Sequence, residues 1–477
     1  MEVINTVLII AFFAVQIAYL CSMLVEVYFF TRPVNRVNLE EVDNISEADM
    51  PNIVLFYPVL RELEETMRTT FVSLSRLDYP RDKYRVIAIP NDNDHATVES
   101  LNRLALEFAF LQVMPIPPTS DPRWDVVWND WQANPKAYWF NQGHRAGVRD
   151  LPPKKTRQLI YAFYNTYENP PFPGDFLVNY IDADSAPPTG HFRAAAAGIK
   201  HYDVLQATNI AGNLLHTMAS TWFSFDHLVW DANKYKHLTA DGKQPYWVLG
   251  KGLFFKASDL KALGGFHPWL TIEDPEVGMR FWANGKRLGV IEDPLIEEVP
   301  ETLSNGITQR KRWVAGFFQS LDMPLKVMGF SRLDRIKAWL NFMPCLSLFV
   351  NAIGIPIGIW AIAVWLQGTS PLPTWSVPLA VFNLLAFSVL LANMYVVAWK
   401  RISKVLPNTA SKIWYLVRVN PLSLIIYWTI WTIPLWIGWR MYRKDTGLIW
   451  ERTTKINANN DIVRSLSDRQ MSTTATK

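Results

Sequence analysis

Three uninterrupted apolar runs, residues 3–30, 340–366 and 375–399, limit what this chain can fold into more than any other feature. A helix needs about 20 apolar residues to cross the hydrocarbon core of a bilayer, and each run is long enough. Within lipid every backbone polar group must be satisfied inside its own segment, so each run is expected to be helical. Composition points the same way. Of the 477 residues 49% are hydrophobic, 21 are tryptophan and only 19% are charged, against roughly 25% charged in ordinary soluble domains. A single soluble domain does not fit.

The flanks give direction. Glu2 is the only charge ahead of the first run, Arg32 and Arg36 follow it, and Arg332, Arg335 and Lys337 precede the second. Basic residues mark the cytosolic side, which places residues 32–321 in the cytosol. Loop 367–373 is uncharged and external, whereas 400–420 carries Lys400, Arg401, Lys404, Lys412 and Arg418 with no acid. A fourth apolar run, 421–439, contains Pro434 and is followed by Arg440, Arg443 and Lys444. A crossing would put those charges outside, so an interfacial or re-entrant segment is expected. The first run has no basic residue before it and is too long for a signal peptide, which predicts a retained anchor. The expected organisation is a membrane helix (1–31), a cytosolic domain (32–321), a membrane region (322–447) and a polar, partly disordered tail (448–477).

A net charge of +4 is too mild to argue for nucleic acid, and the basic residues gathered beside apolar runs suit anionic headgroups of the bilayer. Cys21 and Cys345 both lie in apolar stretches. Neither a disulfide framework nor a zinc site is indicated, and both are expected to be small buried apolar residues.

Between residues 52 and 321 short apolar strands alternate with amphipathic helices: strands at 53–59, 84–89 and 176–181, helices at 62–77 and 98–108. Such alternation predicts an α/β domain with a mostly parallel sheet and ligands at the carboxyl ends of its strands. Acidic residues fall at two of those ends. Asp92 and Asp94 follow the second strand, and Asp182-Ala183-Asp184 follows a later one. The i, i+2 spacing sends both carboxylates to one side, where they can hold a hard divalent cation against phosphate oxygens. A strand-ending turn with solvated acids is the plain alternative.

Further on, Thr271-Ile272-Glu273-Asp274 opens an amphipathic helix, and Gln309-Arg310-Lys311-Arg312-Trp313 lies on another, at 307–321, ahead of the second apolar run. Acids in a first turn are favoured by the helix dipole, which is reason enough for one of the pair. A guanidinium fork matches two phosphate oxygens, and an indole offers a plate for a sugar face. Trp and Arg also simply sit at headgroup level in interfacial helices.

Taken in this order, the fragments resemble the family-2 glycosyltransferases, in particular the membrane-embedded branch that includes cellulose, chitin and hyaluronan synthases. The resemblance runs over about residues 52–321. A looser match, Trp450-Glu451-Arg452-Thr453, is similar to the family's gating loop with Arg452 in place of the commoner Lys. It implies a GT-A-type nucleotide-diphospho-sugar transferase domain carrying transmembrane and interfacial helices. It also implies inverting transfer from a nucleotide-sugar, expected to be a UDP-sugar, with Mg2+ or Mn2+ at Asp182 and Asp184. Asp274, beside Glu273, becomes the general base. Asp182 and Arg312 face the donor diphosphate, while Gln309 and Trp313 face the acceptor. Gly250-Lys251-Gly252 resembles the segment along which an acceptor sugar lies close to backbone, although a hairpin turn explains Gly250 and Gly252 equally well. Asp92 or Asp94 takes the nucleotide base, although the usual Asp-Asp-Gly-Ser is absent. Lys136 resembles the lysine of a helix-starting segment near the donor, and Gln206 is a further candidate for the donor pocket. His267 has no partner at ligand spacing and is expected to be structural.

The implied product is a growing β-linked polysaccharide, with export through the membrane. Addition of one sugar to a lipid carrier or glycolipid is the alternative. A transporter or scaffold is the non-enzymatic one, but the spans hold almost no ionisable residue apart from Glu26, where transport paths display several.

Overall fold

A computed structural model describes residues 2–239, 242–444, 455–460 and 462–463. The Trp450-Glu451-Arg452-Thr453 stretch lies outside them, as does most of the tail. Among the described residues the α/β part is built on seven strands: β1 (Ile53–Val59), β2 (Tyr84–Pro90), β3 (Leu111–Val113), β4 (Leu177–Tyr180), β5 (Val204–Ala211), β6 (Leu253–Lys256) and β7 (Leu288–Glu297). They form one sheet in the order β3-β2-β1-β4-β6-β5-β7. Pairings are parallel except where β6 lies between β4 and β5, antiparallel to both. The expected strands and the helices Glu64–Ser75 and His95–Glu107 all appear, with ends shifted by a few residues.

β1 shows why these strands read as unbroken apolar runs. Ile53, Leu55, Tyr57 and Val59 enter one core and Val54 and Phe56 the other, so both faces are covered. One core packs Trp124, Trp128 and Trp131 against Tyr161, Phe140 and Tyr164, with Trp128 stacked on Phe140 and Trp131 edge-on to Tyr164. Part of the tryptophan content that suggested a membrane therefore belongs to the soluble domain.

Among the described residues four helices are long and apolar enough to cross a membrane: Val3–Phe30, Leu348–Leu366, Ser376–Ile402 and Pro421–Lys444. Their outward faces expose large apolar side chains such as Ile10, Ile17, Ile359, Ile362, Leu385 and Val389, a surface that water would not tolerate over such lengths. Between the first two, Gly354 lets Tyr19 approach and donate its hydroxyl to Asn351 at 2.6 Å. Cys21 is free and exposed on the first helix, not buried as expected, because it lies on the outward face. The side chain of Cys345 lies outside the described residues.

Candidate active site

The carboxyl edge of the sheet opens on a cavity of about 320 Å³. β4 ends at Tyr180 and delivers Asp182 and Asp184 to it. Asp182 Oδ1 accepts from Lys155 Nζ at 2.6 Å, and Asp184 Oδ2 from Lys455 Nζ at 2.5 Å and from the Glu298 amide at 2.8 Å. Asp182 remains 44% exposed toward the cavity, whereas Asp184 is buried. Burial opposes ionisation of Asp182, but the ammonium groups of Lys155, Lys251 and Lys455 outweigh it and hold the carboxyl below its ordinary value.

Asp274 lies across from this pair at the start of the Asp274–Ala283 helix, with Glu273 as the cap residue. A Cβ placed on Gly250 would come within 3.4 Å of the Asp274 carboxyl carbon and 3.5 Å of Lys155 Nζ. Lys155 Nζ also donates to the Gly250 carbonyl at 2.6 Å. Gly250 therefore lies in direct contact with both the acid and the ammonium. Burial first, and the neighbouring Glu273 second, push the Asp274 carboxyl up to about 8. Glu273 itself is held by Thr156, whose hydroxyl donates to it at 3.1 Å.

Gln309, Arg312 and Trp313 reach the same cavity from the Leu303–Leu321 helix. Two contacts lock that helix to the Asp274 turn: Gly316 packs directly on Ile272, and Gln319 Oε1 accepts from the Thr271 amide at 2.8 Å. One turn away, Arg310 is fully buried. Its Nε and Nη2 donate to Asp226 Oδ2 at 2.9 and 2.7 Å, and Tyr427 and Trp431 donate to the same oxygen at 2.5 and 3.1 Å.

Other expected residues lie elsewhere. Lys136 is exposed and donates to Asn284 at 2.7 Å, away from the cavity, which removes it from the diphosphate role. The lysine that does line the cavity is Lys155, which opens the Lys155–Glu168 helix. Gly252 is also not on the cavity: its φ is +62°, and a Cβ there would strike Leu295 and Ala207 beneath the sheet. Asp94 is engaged by the Arg61 amide at 2.9 Å and Thr97 at 2.8 Å, organising a helix start. Asp92 sits at the end of β2 beside Asn91, which lines the cavity and accepts from Arg157 at 2.7 Å. Gln206 braces the floor from below, donating to the Lys251 carbonyl and accepting from the Leu249 amide. His267 is buried among Tyr138 and Trp139, and desolvation holds its imidazole well below its ordinary value.

Sequence reasoning missed Lys155, Lys455, Asp226 and Glu297, and overlooked Lys251 within a motif it had singled out. Glu297 is buried at the end of β7 and pairs with Lys251 and Ser185. A signal existed for Lys155, since Pro152-Pro153-Lys154-Lys155 precedes a long amphipathic helix. None existed for Lys455 or Asp226, whose partners are far off along the chain.

The arrangement has relatives. The mannosyltransferase PcManGT from Pyrobaculum calidifontis, solved in complex with GDP-Man and Mn2+, superposes over 93% of this chain and 99% of its own, with a TM-score of 0.52 at 15% identity. That likeness shows a shared GT-A-type fold. A probable glycosyltransferase from Sulfolobus acidocaldarius is 22% identical over 317 residues, 63% of this chain, and the match spans 59% of that relative's length. Residues 177–442, more than half of the chain, match the family described as Glycosyl transferase family group 2. That stretch runs from β4, with its acidic pair, through the Asp274 turn and the Gln309–Trp313 helix, and on its evidence the chain belongs to glycosyltransferase family group 2.

Proposed function

We propose that this protein is an inverting glycosyltransferase that moves a sugar from a nucleotide-sugar to an acceptor hydroxyl at the cytosolic face of a membrane. One observation carries the reading: Asp182, Asp184, Asp274, Arg312 and Trp313, spread over 132 positions of sequence (182 to 313), line a single cavity. The donor nucleotide fits the end bounded by Pro58, Leu60, Glu62 and Asn91, with Asp92 adjoining it. PcManGT was solved with GDP-Man, so a guanine donor stands beside the UDP-sugar implied by the motifs.

A divalent ion such as Mg2+ or Mn2+ fits the acidic pair. Among the described residues no third His, Cys, Asp or Glu completes a ligand set, and Asp182 keeps its carboxylate open to the cavity. Two hard oxygen donors with further positions left for phosphate and water suit such an ion. When bound, it would supply positive charge at the departing diphosphate. Lys155 holds Asp182 ionised, and Arg312 offers a fork to the same phosphates. In its ionised form, which the raised carboxyl reaches as pH approaches about 8, Asp274 accepts the proton of the attacking hydroxyl, and a single in-line displacement inverts the anomeric centre.

The flanks of the apolar helices support a cytosolic catalytic domain. They also support an interfacial, not crossing, Pro421–Lys444 segment, because contacts at both of its ends are with the catalytic domain. Trp222 donates to Ser423 at 2.7 Å, Tyr442 donates to Asp322 at 2.8 Å, and Lys455 returns to Asp184.

The test is Asp274→Asn. Transfer should fall by about 10²- to 10⁴-fold, while binding of the donor, measured by calorimetry with GDP-mannose and UDP-sugars, stays within a few-fold. Full transfer activity in that variant overturns the assignment.

A further inference from the structure

Past Trp313 the cavity does not end; it continues between helices that belong to the membrane. Phe29 comes from the first apolar helix, Leu348 and Phe349 from the second, and Trp431 and Leu435 from the interfacial segment. The polar groups described on this wall are already engaged. Asn341 donates to the Pro245 carbonyl at 2.6 Å, and Trp431 donates to Asp226. A sugar polymer threading this way would give up hydration of its hydroxyls against a wall with little to replace it, at a cost for each hydroxyl. A hydrocarbon chain gains from the same contact.

We infer that the acceptor is a lipid-anchored sugar, with its hydroxyl presented to Asp274 and its apolar chain laid along the wall formed by Phe29, Leu348, Phe349 and Leu435. The inference rests on the nucleotide-sugar reading above and narrows it to a glycolipid acceptor and a single addition. The polar and apolar halves of one cavity then match the two halves of one substrate. Its head meets Asp274, Arg312 and Trp313, and its tail follows helices already immersed in the bilayer.

The experiment varies the tail and keeps the sugar. Purified full-length protein in nanodiscs receives GDP-mannose, UDP-glucose or UDP-N-acetylglucosamine with Mn2+. Matched methyl and decyl β-glycosides of glucose, mannose and N-acetylglucosamine are offered below their micellar concentrations. Each buried methylene favours binding by roughly four-fold, so a decyl glycoside should be used at least ten-fold better in kcat/KM than its methyl partner. Leu348→Asn and Leu435→Asn should shrink that ratio to within about two-fold. Product sizing should show one added sugar. Nucleoside diphosphate release that is indifferent to tail length on every sugar pair overturns the inference and leaves the transferase reading intact, as does label accumulating in a lengthening water-soluble polymer. Decyl phosphate accepting sugar where decyl glycosides do not overturns the sugar headgroup. No turnover of any donor, with or without acceptor, takes the nucleotide-sugar reading down first and the inference with it.

Discussion

The carboxyl of Asp274 is the residue on which site chemistry and fold stability meet. In the folded chain it is raised to about 8 from an ordinary value of 3.8. Between those values the folded state holds a proton that the unfolded chain has released, so stability falls as pH rises through the window and the whole contribution is lost above about 8. Asn cannot ionise. The stability of Asp274→Asn relative to wild type should therefore rise between pH 5 and about 8 and level off above it in thermal unfolding, and a pH-independent gap would contradict the buried-acid description. The two neighbouring glycines make a second comparison. Gly252→Ala puts a Cβ within 2.6 Å of Leu295 at a positive φ and should cost about 1–3 kcal/mol of stability. Gly250→Ala meets only Asp274 and Lys155 at ordinary contact distance, so it should fold normally and lose transfer activity. Sequence could not tell these glycines apart, because each is explained by a turn. Only the folded loop ahead of β6 separates them, placing Gly250 on the cavity and Gly252 against Leu295 and Ala207.

At the scale of elements, the Leu303–Leu321 helix works as a strut between catalytic domain and membrane. Gly316 and Gln319 fix it to the Asp274 turn, and Gly438 of the Thr432–Lys444 helix packs against its Lys311 carbonyl and Val314. The Asp226–Arg310 pair, buried with Tyr427 and Trp431 around it, sets the rotation of the strut and so the direction in which Arg312 and Trp313 face. Asp226→Ala leaves a guanidinium buried without its counter-charge and should destabilise by roughly 3–5 kcal/mol. The double variant Asp226→Leu/Arg310→Leu should be less destabilised than either single leucine change, as read by unfolding in detergent. The helix itself was legible from its apolar spacing, as were β1, β2, β4 and the acidic clusters that end them. The identity of its buried arginine was not: Arg310 and Arg312 are equivalent in a periodicity argument, and only the packing of Phe223 and Trp431 around Arg310 separates them. Lys136 was misplaced for a related reason, since helix starts after Pro and Lys look alike until the length of the following helix is known.

On the scale of the whole molecule, the flanking charges and the returning contacts give one topology that can be checked directly. In a background with Cys21 and Cys345 replaced, Ser370→Cys should react with an impermeant maleimide from outside intact cells. Lys404→Cys and Arg443→Cys should react only after permeabilisation. Labelling of position 443 from outside would mean that 421–444 crosses. Composition had announced a membrane protein for partly the wrong reason, since Trp124, Trp128 and Trp131 fill a soluble core, but the uninterrupted length of the apolar runs held. The cavity draws on Phe29 near one end of the described chain and Lys455 near the other. During synthesis, the acid at 184 therefore waits for its ammonium partner until the ribosome has passed residue 455 and the intervening apolar helices have been made. A nascent chain stalled before that point carries an unfinished pocket, so activity arrives only after residue 455 has been added.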